Sequence, residues 1–241
     1  MLAAYFDQFN VVRLITIQAF MGDWLVTFTN TSMMMVLAVT IFWLLLKGDK
    51  LIPNRWQSIM ELIHLNIRTV VDDNLGKPGQ KYFPFVLSLF LFIALLNVLG
   101  LFPYVFTPTA QIVVTFGLSL SIIIGVTILG LTAFKSNFLS ILVPNGAPLV
   151  LAPFLVLIET IGYISRAVSL GMRLAANLTA GHLLFAIVSG FAFNMLSGAL
   201  SVFPMLIMMF ITILEMAVAI IQAYVFCLLT AIYLGDTIAL H

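Results

Sequence analysis

What most limits the folds open to this chain is its uninterrupted apolar runs. Segments 24–46, 82–106 and 109–134 each exceed about twenty residues without one charged side chain. A helix of that length, rising 1.5 Å per residue, crosses the ~30 Å hydrocarbon core of a bilayer. Composition points the same way. Hydrophobic residues make up 63% of the 241 and charged residues 8%, against roughly 25% charged in an average soluble domain. Too few polar groups exist to clothe a water-facing monomer. That excludes a soluble enzyme, a nucleic-acid binder and a disordered tail. A β-barrel would show short alternating segments. The fold class expected is an all-α polytopic membrane protein with about five transmembrane helices and an interfacial amphipathic helix.

Further functions fall away on motif and charge. Net charge is +1, from ten Lys+Arg and nine Asp+Glu, so there is no basic footprint for nucleic acid. The single cysteine, Cys227, excludes an intrachain disulfide framework and a cysteine-based metal site. No GxxxxGK[ST], HExxH or GxSxG pattern is present, which leaves nucleotide and hydrolase chemistry without a seat. The start, MLAAYFDQFNVVRL, has neither a basic n-region nor an apolar h-region, so no cleavable secretory signal is expected.

The chain is expected to form one membrane domain, 1–241. The first span is placed at 24–46. Residues 53–76 read as an amphipathic helix with Ile59, Ile63, Ile67 and Val70/Val71 at helical spacing, opened by Pro53 and stopped by Gly76 and Pro78. It suits the membrane interface, although a linker helix in the aqueous phase is an alternative. Segments 82–106 and 109–134 form a hairpin, with Tyr82, Phe83 and Tyr104 at the two membrane faces and Pro103 and Pro108 in the turn. Asn145-Gly146-Ala147-Pro148 is a loop signal. Segments 149–191 and 204–235 are expected as two long helices joined by a hairpin around Gly190–Ser201. A helix of about 40 residues measures roughly 60 Å, twice the core thickness, so it must tilt strongly. A break near Gly171–Gly181 is the alternative.

Lys47, Lys50, Arg55, Arg68, Lys77, Lys81 and Lys135 collect on one side, while only Arg13 precedes the first span. Short loops rich in Lys and Arg stay inside. The N-terminus is therefore expected outside and the C-terminus inside.

The two long helices carry the costly residues. An ionisable side chain at mid-bilayer costs about 2.5–3.5 kcal/mol on insertion scales and points to an ion or proton path. Glu159, Arg166 and Arg173 stand seven residues apart, and Asn177 follows four later. A heptad drifts only about 20° on an α-helix, so these four share a face. His182, nine residues past Arg173, falls about 900° on and faces the opposite way. On the last helix Glu215 and Gln222 share a line that Tyr233 and Asp236 continue, the latter expected in a solvated position. Histidine titrates near neutrality, and a carboxylate can when desolvated. Arginine cannot deprotonate. It can displace a proton from a nearby acid and interrupt a continuous path.

The stretch SLGMRLAANLTAGHLLF (Ser169–Phe185), with Glu159-Thr160-Ile161 before it and IIQAYVFCLLTAIYL (Ile220–Leu234) after it, resembles ATP synthase subunit a. This is the membrane-sector (Fo) stator subunit of the rotary motor, here of mitochondrial, fungal-like type. The resemblance implies that Arg173 is the essential arginine facing the c-ring carboxylate. It implies His182 and Glu215 in the inlet half-channel and Glu159 in the outlet half-channel, with Asn177, Gln222 and Arg166 in support. It also implies partners: the c-ring, peripheral-stalk subunit b and other small membrane-sector subunits, lipid and protons, with no nucleic acid. No cofactor and no metal are implied, and no catalysis by the chain alone. The compartment would be the mitochondrial inner membrane, ahead of a bacterial plasma membrane.

Plainer roles compete. Arg173 could be a structural cation paired with Glu159 or Glu215, and Asn177 and Gln222 could be interhelical hydrogen-bond glue. Gly171/Ala175 and Ala217/Ala219/Ala223 invite close helix approach. An ion-coupled secondary transporter would need internal repeats with matching helix breaks, and none is evident. A structural subunit of a respiratory complex would leave Arg173, Glu159 and Glu215 unexplained.

Overall fold

The computed structural model describes residues 9–18, 25–45, 54–102, 105–134, 152–194 and 202–238. Several expected features lie outside the described residues: Lys47, Lys50, Pro53, Pro103, Tyr104, Lys135, the 145–148 loop and most of the 190–201 hairpin.

Two short strands come first, β1 (Arg13–Gln18) and β2 (Leu25–Thr29), paired antiparallel with an irregularity between Arg13 and Ile15. Helix α1 (Asn30–Leu45) follows directly. The first span was expected to begin at residue 24, and this is corrected: the helix starts at Asn30. Val26, Thr27, Phe28 and Thr29 are β-branched or aromatic and favour a strand. Thr29 then caps the helix, its Oγ1 accepting the Ser32 N–H at 3.4 Å. Asn30 ties the junction down, donating from its backbone to Val12 O at 3.2 Å and from Nδ2 to Asn10 O at 3.3 Å. With 16 residues, α1 is about 24 Å long.

Helix α2 (Arg55–Leu75) has the expected amphipathic stripe. Ile67, Val70, Val71 and Leu75 are buried, whereas Trp56 and Ile59 at its start are exposed. It stops at Gly76, whose φ of 63° is left-handed and favours glycine. A 3-10 turn (Lys77–Tyr82) leads into α3 (Phe83–Gly100). This helix ends at Gly100, earlier than the 82–106 expected, and α4 (Ile112–Phe134) begins at 112 rather than 109. Prolines explain both shifts. The residue before a proline avoids the α conformation, and Pro108 opens a short 3-10 turn through Ala110 instead.

Helices α5 (Ala152–Asn194) and α6 (Val202–Ile238) contain 43 and 37 residues, about 65 and 55 Å. Helix α5 is unbroken through Gly171–Gly181. Stretches Gly79–Gly100, Ile112–Thr132, Phe154–Ala192 and Val202–Ile238 are long and apolar enough to cross a membrane, and α1 is a shorter apolar helix. Their outer faces are apolar too: Ile158, Ile161, Ile164, Phe210, Ile213 and Leu214 are all exposed, as bilayer-facing side chains would be.

The chain divides into two compact units. One comprises Met1–Asp49, Leu91–Gln111 and Leu174–Tyr224, and its core includes Ile93, Leu96, Leu174, Ala175, Leu178, Ala219 and Ala223. The other comprises Lys50–Phe90, Ile112–Arg173 and Val225–His241. Its core includes Val71, Val86, Ile122, Val126, Leu170, Phe226 and Leu234. Small residues set the packing distance in the second unit. A Cβ on Gly171 would lie 2.7 Å from Ser119 Oγ, and one on Gly235 would lie 2.5 Å from the Asn74 carbonyl oxygen.

Candidate functional site

In the first unit the polar side chains of α5 and α6 meet in pairs. His182 Nε2 stands 4.0 Å from Glu215 Oε1. Glu215 is 8% exposed, in the middle of a helix whose neighbours on either side are apolar. Gly181 makes the approach possible: a Cβ there would lie 2.6 Å from Glu215 Oε1. Nearby in sequence, Asn177 Nδ2 donates to Gln222 Oε1 at 2.9 Å. Gln222 is buried and Asn177 exposed. The packing seam that holds these pairs uses small residues, with Ala175, Ala219 and Ala223 all buried.

Two further polar residues join this unit that sequence reasoning did not single out as site residues. Thr107, on the α3–α4 connection, places Oγ1 3.0 Å from His182 Nε2. Asn97, fully buried on α3, donates from Nδ2 to the Ala219 carbonyl at 3.0 Å. An asparagine inside an apolar run is a visible signal for the latter. Thr107 carried no signal, because a threonine beside Pro108 reads as an ordinary turn residue.

In the second unit Arg166 is the hub. Its Nη2 lies 3.5 Å from Glu159 Oε1 on the same helix, and its Nη1 lies 3.7 Å from Asp236 Oδ2 on α6. The guanidinium carbon sits 5.9 Å from the Tyr233 ring centroid, within cation–π range. Asp236, expected merely to be solvated, is therefore both exposed and paired. Its place on the Glu215–Gln222–Tyr233 line was the signal that could have found it. These side chains are roughly two-fifths exposed or more, so each pair is worth about 0.2–1 kcal/mol.

Arg173, also in this unit, has a different environment. Its Nη2 donates to Ser169 Oγ at 3.5 Å, and among the described residues it makes no ion pair. The alternative in which Glu159 or Glu215 neutralises Arg173 is corrected, since Glu159 pairs with Arg166 and Glu215 with His182. Arg173 is thus an exposed arginine on a long apolar helix, without a carboxylate partner among the described residues. Helix α5 runs without interruption from Glu159 to His182, and Asn177 and His182, expected on opposite faces, both reach the Glu215–Gln222 line of α6.

A family model described as ATP synthase A chain matches residues 27–235. This chain belongs to the ATP synthase A chain family. Similar curated proteins agree over their whole length. The ATP synthase subunit a of Metridium senile is 64% identical, with 99% of each chain covered. That of Marchantia polymorpha is 44% identical, and that of Rhodospirillum rubrum 42%, each with 98% of both chains covered. None of these three is fungal, so the family assignment carries no fungal detail. The matched region takes in every residue of both polar clusters except Asp236, one position beyond its end.

Proposed function

We propose that this chain serves the rotary F-type ATP synthase as the stator subunit that carries protons to and from a rotating c-ring through two offset half-channels. Membership in the family supplies the coarse part: the chain is a proton-translocating subunit of the membrane sector. The residue roles are our reading. His182 and Glu215 receive protons from the outside and pass them to a c-ring carboxylate. The neutralised acid can then face lipid at low cost. Arg173 meets the returning acid from the other side and lowers its pKa, so the proton leaves past Glu159 toward the inside. Because Arg173 cannot itself release a proton, it prevents a direct leak between the two paths. Asn177, Gln222 and Arg166 hold these groups in place.

The observation that carries the reading is how the ionisable groups sort. His182 pairs with Glu215 in one unit, Glu159 and Asp236 share Arg166 in the other, and Arg173 is left without a carboxylate among the described residues. A structural subunit would be expected to neutralise its most expensive cation. One proton crossing 100 mV yields about 2.3 kcal/mol, so several must be coupled to each ATP made elsewhere in the complex. The chain has no nucleotide-binding motif of its own and acts with its partners: the c-ring, peripheral-stalk subunit b and small membrane-sector subunits. We place it in the mitochondrial inner membrane with the N-terminus outside and the C-terminus on the matrix side, following the loop charges.

The test is proton flux in membranes carrying Arg173→Ala, read as ATP-driven pumping and as passive leak. Lost pumping with retained or increased leak is the expected result. Normal pumping would overturn the role of Arg173.

A further inference from the structure

We infer that Thr107 is a positioning residue for His182: it holds the Nε2–H in place and thereby leaves Nδ1 as the nitrogen that takes and releases the translocated proton. The inference rests on His182 being the inlet group proposed above, and it adds the atom at which exchange occurs.

The argument starts from one hydroxyl. Thr107 is 6% exposed, and its Oγ1 donates to the Gly100 carbonyl at 3.2 Å. A hydroxyl has one proton, so once donated there it can only accept elsewhere. Its other contact is His182 Nε2 at 3.0 Å. With the hydroxyl proton on Gly100, we assign the hydrogen of this bond to Nε2, which then donates to Thr107. This holds for the neutral ring and for the imidazolium, since both can keep a proton on Nε2. The proton that comes and goes is then the one on Nδ1. The hydrogen bond at one ring nitrogen commonly fixes the tautomer in this way.

The surroundings keep that arrangement. A Cβ on Gly100 would lie 2.4 Å from Thr107 Cγ2 and 2.9 Å from Oγ1, so only glycine leaves the threonine its seat. The Phe9 ring meets the imidazole edge-on, with centroids 6.3 Å apart and planes at 81°, which limits ring rotation. The one charged group facing His182 among the described residues is Glu215, from α6, 4.0 Å from the same Nε2. Carboxylate and hydroxyl thus act on one nitrogen, and a ring flip would forfeit both contacts.

The test uses the assembled ATP synthase in liposomes, with ATP synthesis and proton flux measured against the pH of the inlet side. Thr107→Val keeps the shape and removes the hydroxyl. Thr107→Ser keeps the hydroxyl and removes a methyl. Flux per assembled complex is expected to fall about three- to tenfold in Thr107→Val, the scale of one hydrogen bond, and the pH of half-maximal flux to move. Both should return in Thr107→Ser. Wild-type behaviour of Thr107→Val overturns the inference, as does a loss in Thr107→Ser equal to that in Thr107→Val. If Thr107→Val does not assemble, Thr107→Ser decides alone: near wild-type flux supports the role of the hydroxyl, and a threefold or larger loss overturns it. His182→Ala separates the two levels. Normal flux in His182→Ala removes the inlet reading itself, whereas impaired His182→Ala beside normal Thr107→Val removes only the role of Thr107.

Discussion

Gly181→Ala separates the position of the Glu215 carboxyl from the stability of the fold. An added Cβ would meet Glu215 Oε1 at 2.6 Å, Cδ at 2.8 Å and Cγ at 3.1 Å. Ordinary contact begins near 3.4 Å, so the carboxyl must withdraw by about 0.8 Å or swing away. The atoms in the way are the end of a flexible side chain rather than backbone. The steric cost therefore falls at the low end of overpacking, about 1 kcal/mol. Replacing a mid-helix glycine by alanine returns about the same amount, ~0.8–1 kcal/mol. The two terms nearly cancel, and the complex should assemble in normal amounts. What changes is the His182–Glu215 contact, which starts at 4.0 Å. Moving the carboxylate from 4.0 Å to about 4.8 Å weakens its attraction to a protonated imidazole by about 0.7 kcal/mol at an effective dielectric near 20, which slows pumping roughly threefold. The assay is ATP-driven proton pumping in vesicles, normalised to assembled complex on native gels. Gly117→Ala is the control, because a Cβ there meets nothing within 4 Å. A Gly181→Ala enzyme that pumps at the Gly117→Ala rate with normal assembly would refute the reasoning.

Other substitutions probe the fold more than the proton path. Gly235→Ala places a Cβ 2.5 Å from the Asn74 carbonyl oxygen, and backbone cannot move aside. A loss of about 1–3 kcal/mol is expected, visible as less assembled complex and a lower thermal dissociation midpoint, and wild-type abundance would contradict it. Arg166→Ala removes two half-exposed ion pairs and one ring contact, about 1–2 kcal/mol together after screening. Its dissociation midpoint should drop less than that of Gly235→Ala, and pumping should persist at a reduced rate; a drop as large as that of Gly235→Ala would show that the Arg166 pairs are buried in the assembly.

The legible features were those encoded by a local period. Apolar runs near twenty residues gave the spanning helices, and the stripe ending at Ile67, Val70 and Val71 gave α2. The seven-residue spacing of Glu159, Arg166 and Arg173 put them on one face of α5, and the helix is continuous there. Misplaced boundaries came from local chemistry that hydropathy does not weigh. Thr29 caps α1 five residues after the apolar run begins at Trp24, and prolines end α3 early.

Partnerships were a different matter. The sequence alone determined that this is a membrane-embedded helical chain whose long apolar helices carry two arginines, two glutamates and a histidine. It also determined, through the residues around Arg173, the family. Only the tertiary structure decided that Glu159 goes to Arg166 rather than Arg173, that Asp236 joins them, and that Thr107 rather than another hydroxyl reaches His182. The physical reason is range. Helix periodicity fixes which residues share a face on one element, within a few turns. Which faces then touch depends on how closely two helices can approach and in what register. Here that is set by single absent side chains, at Gly100, Gly181 and Gly235, whose effect is felt by partners tens of residues away or, for Gly100 and Thr107, across a turn.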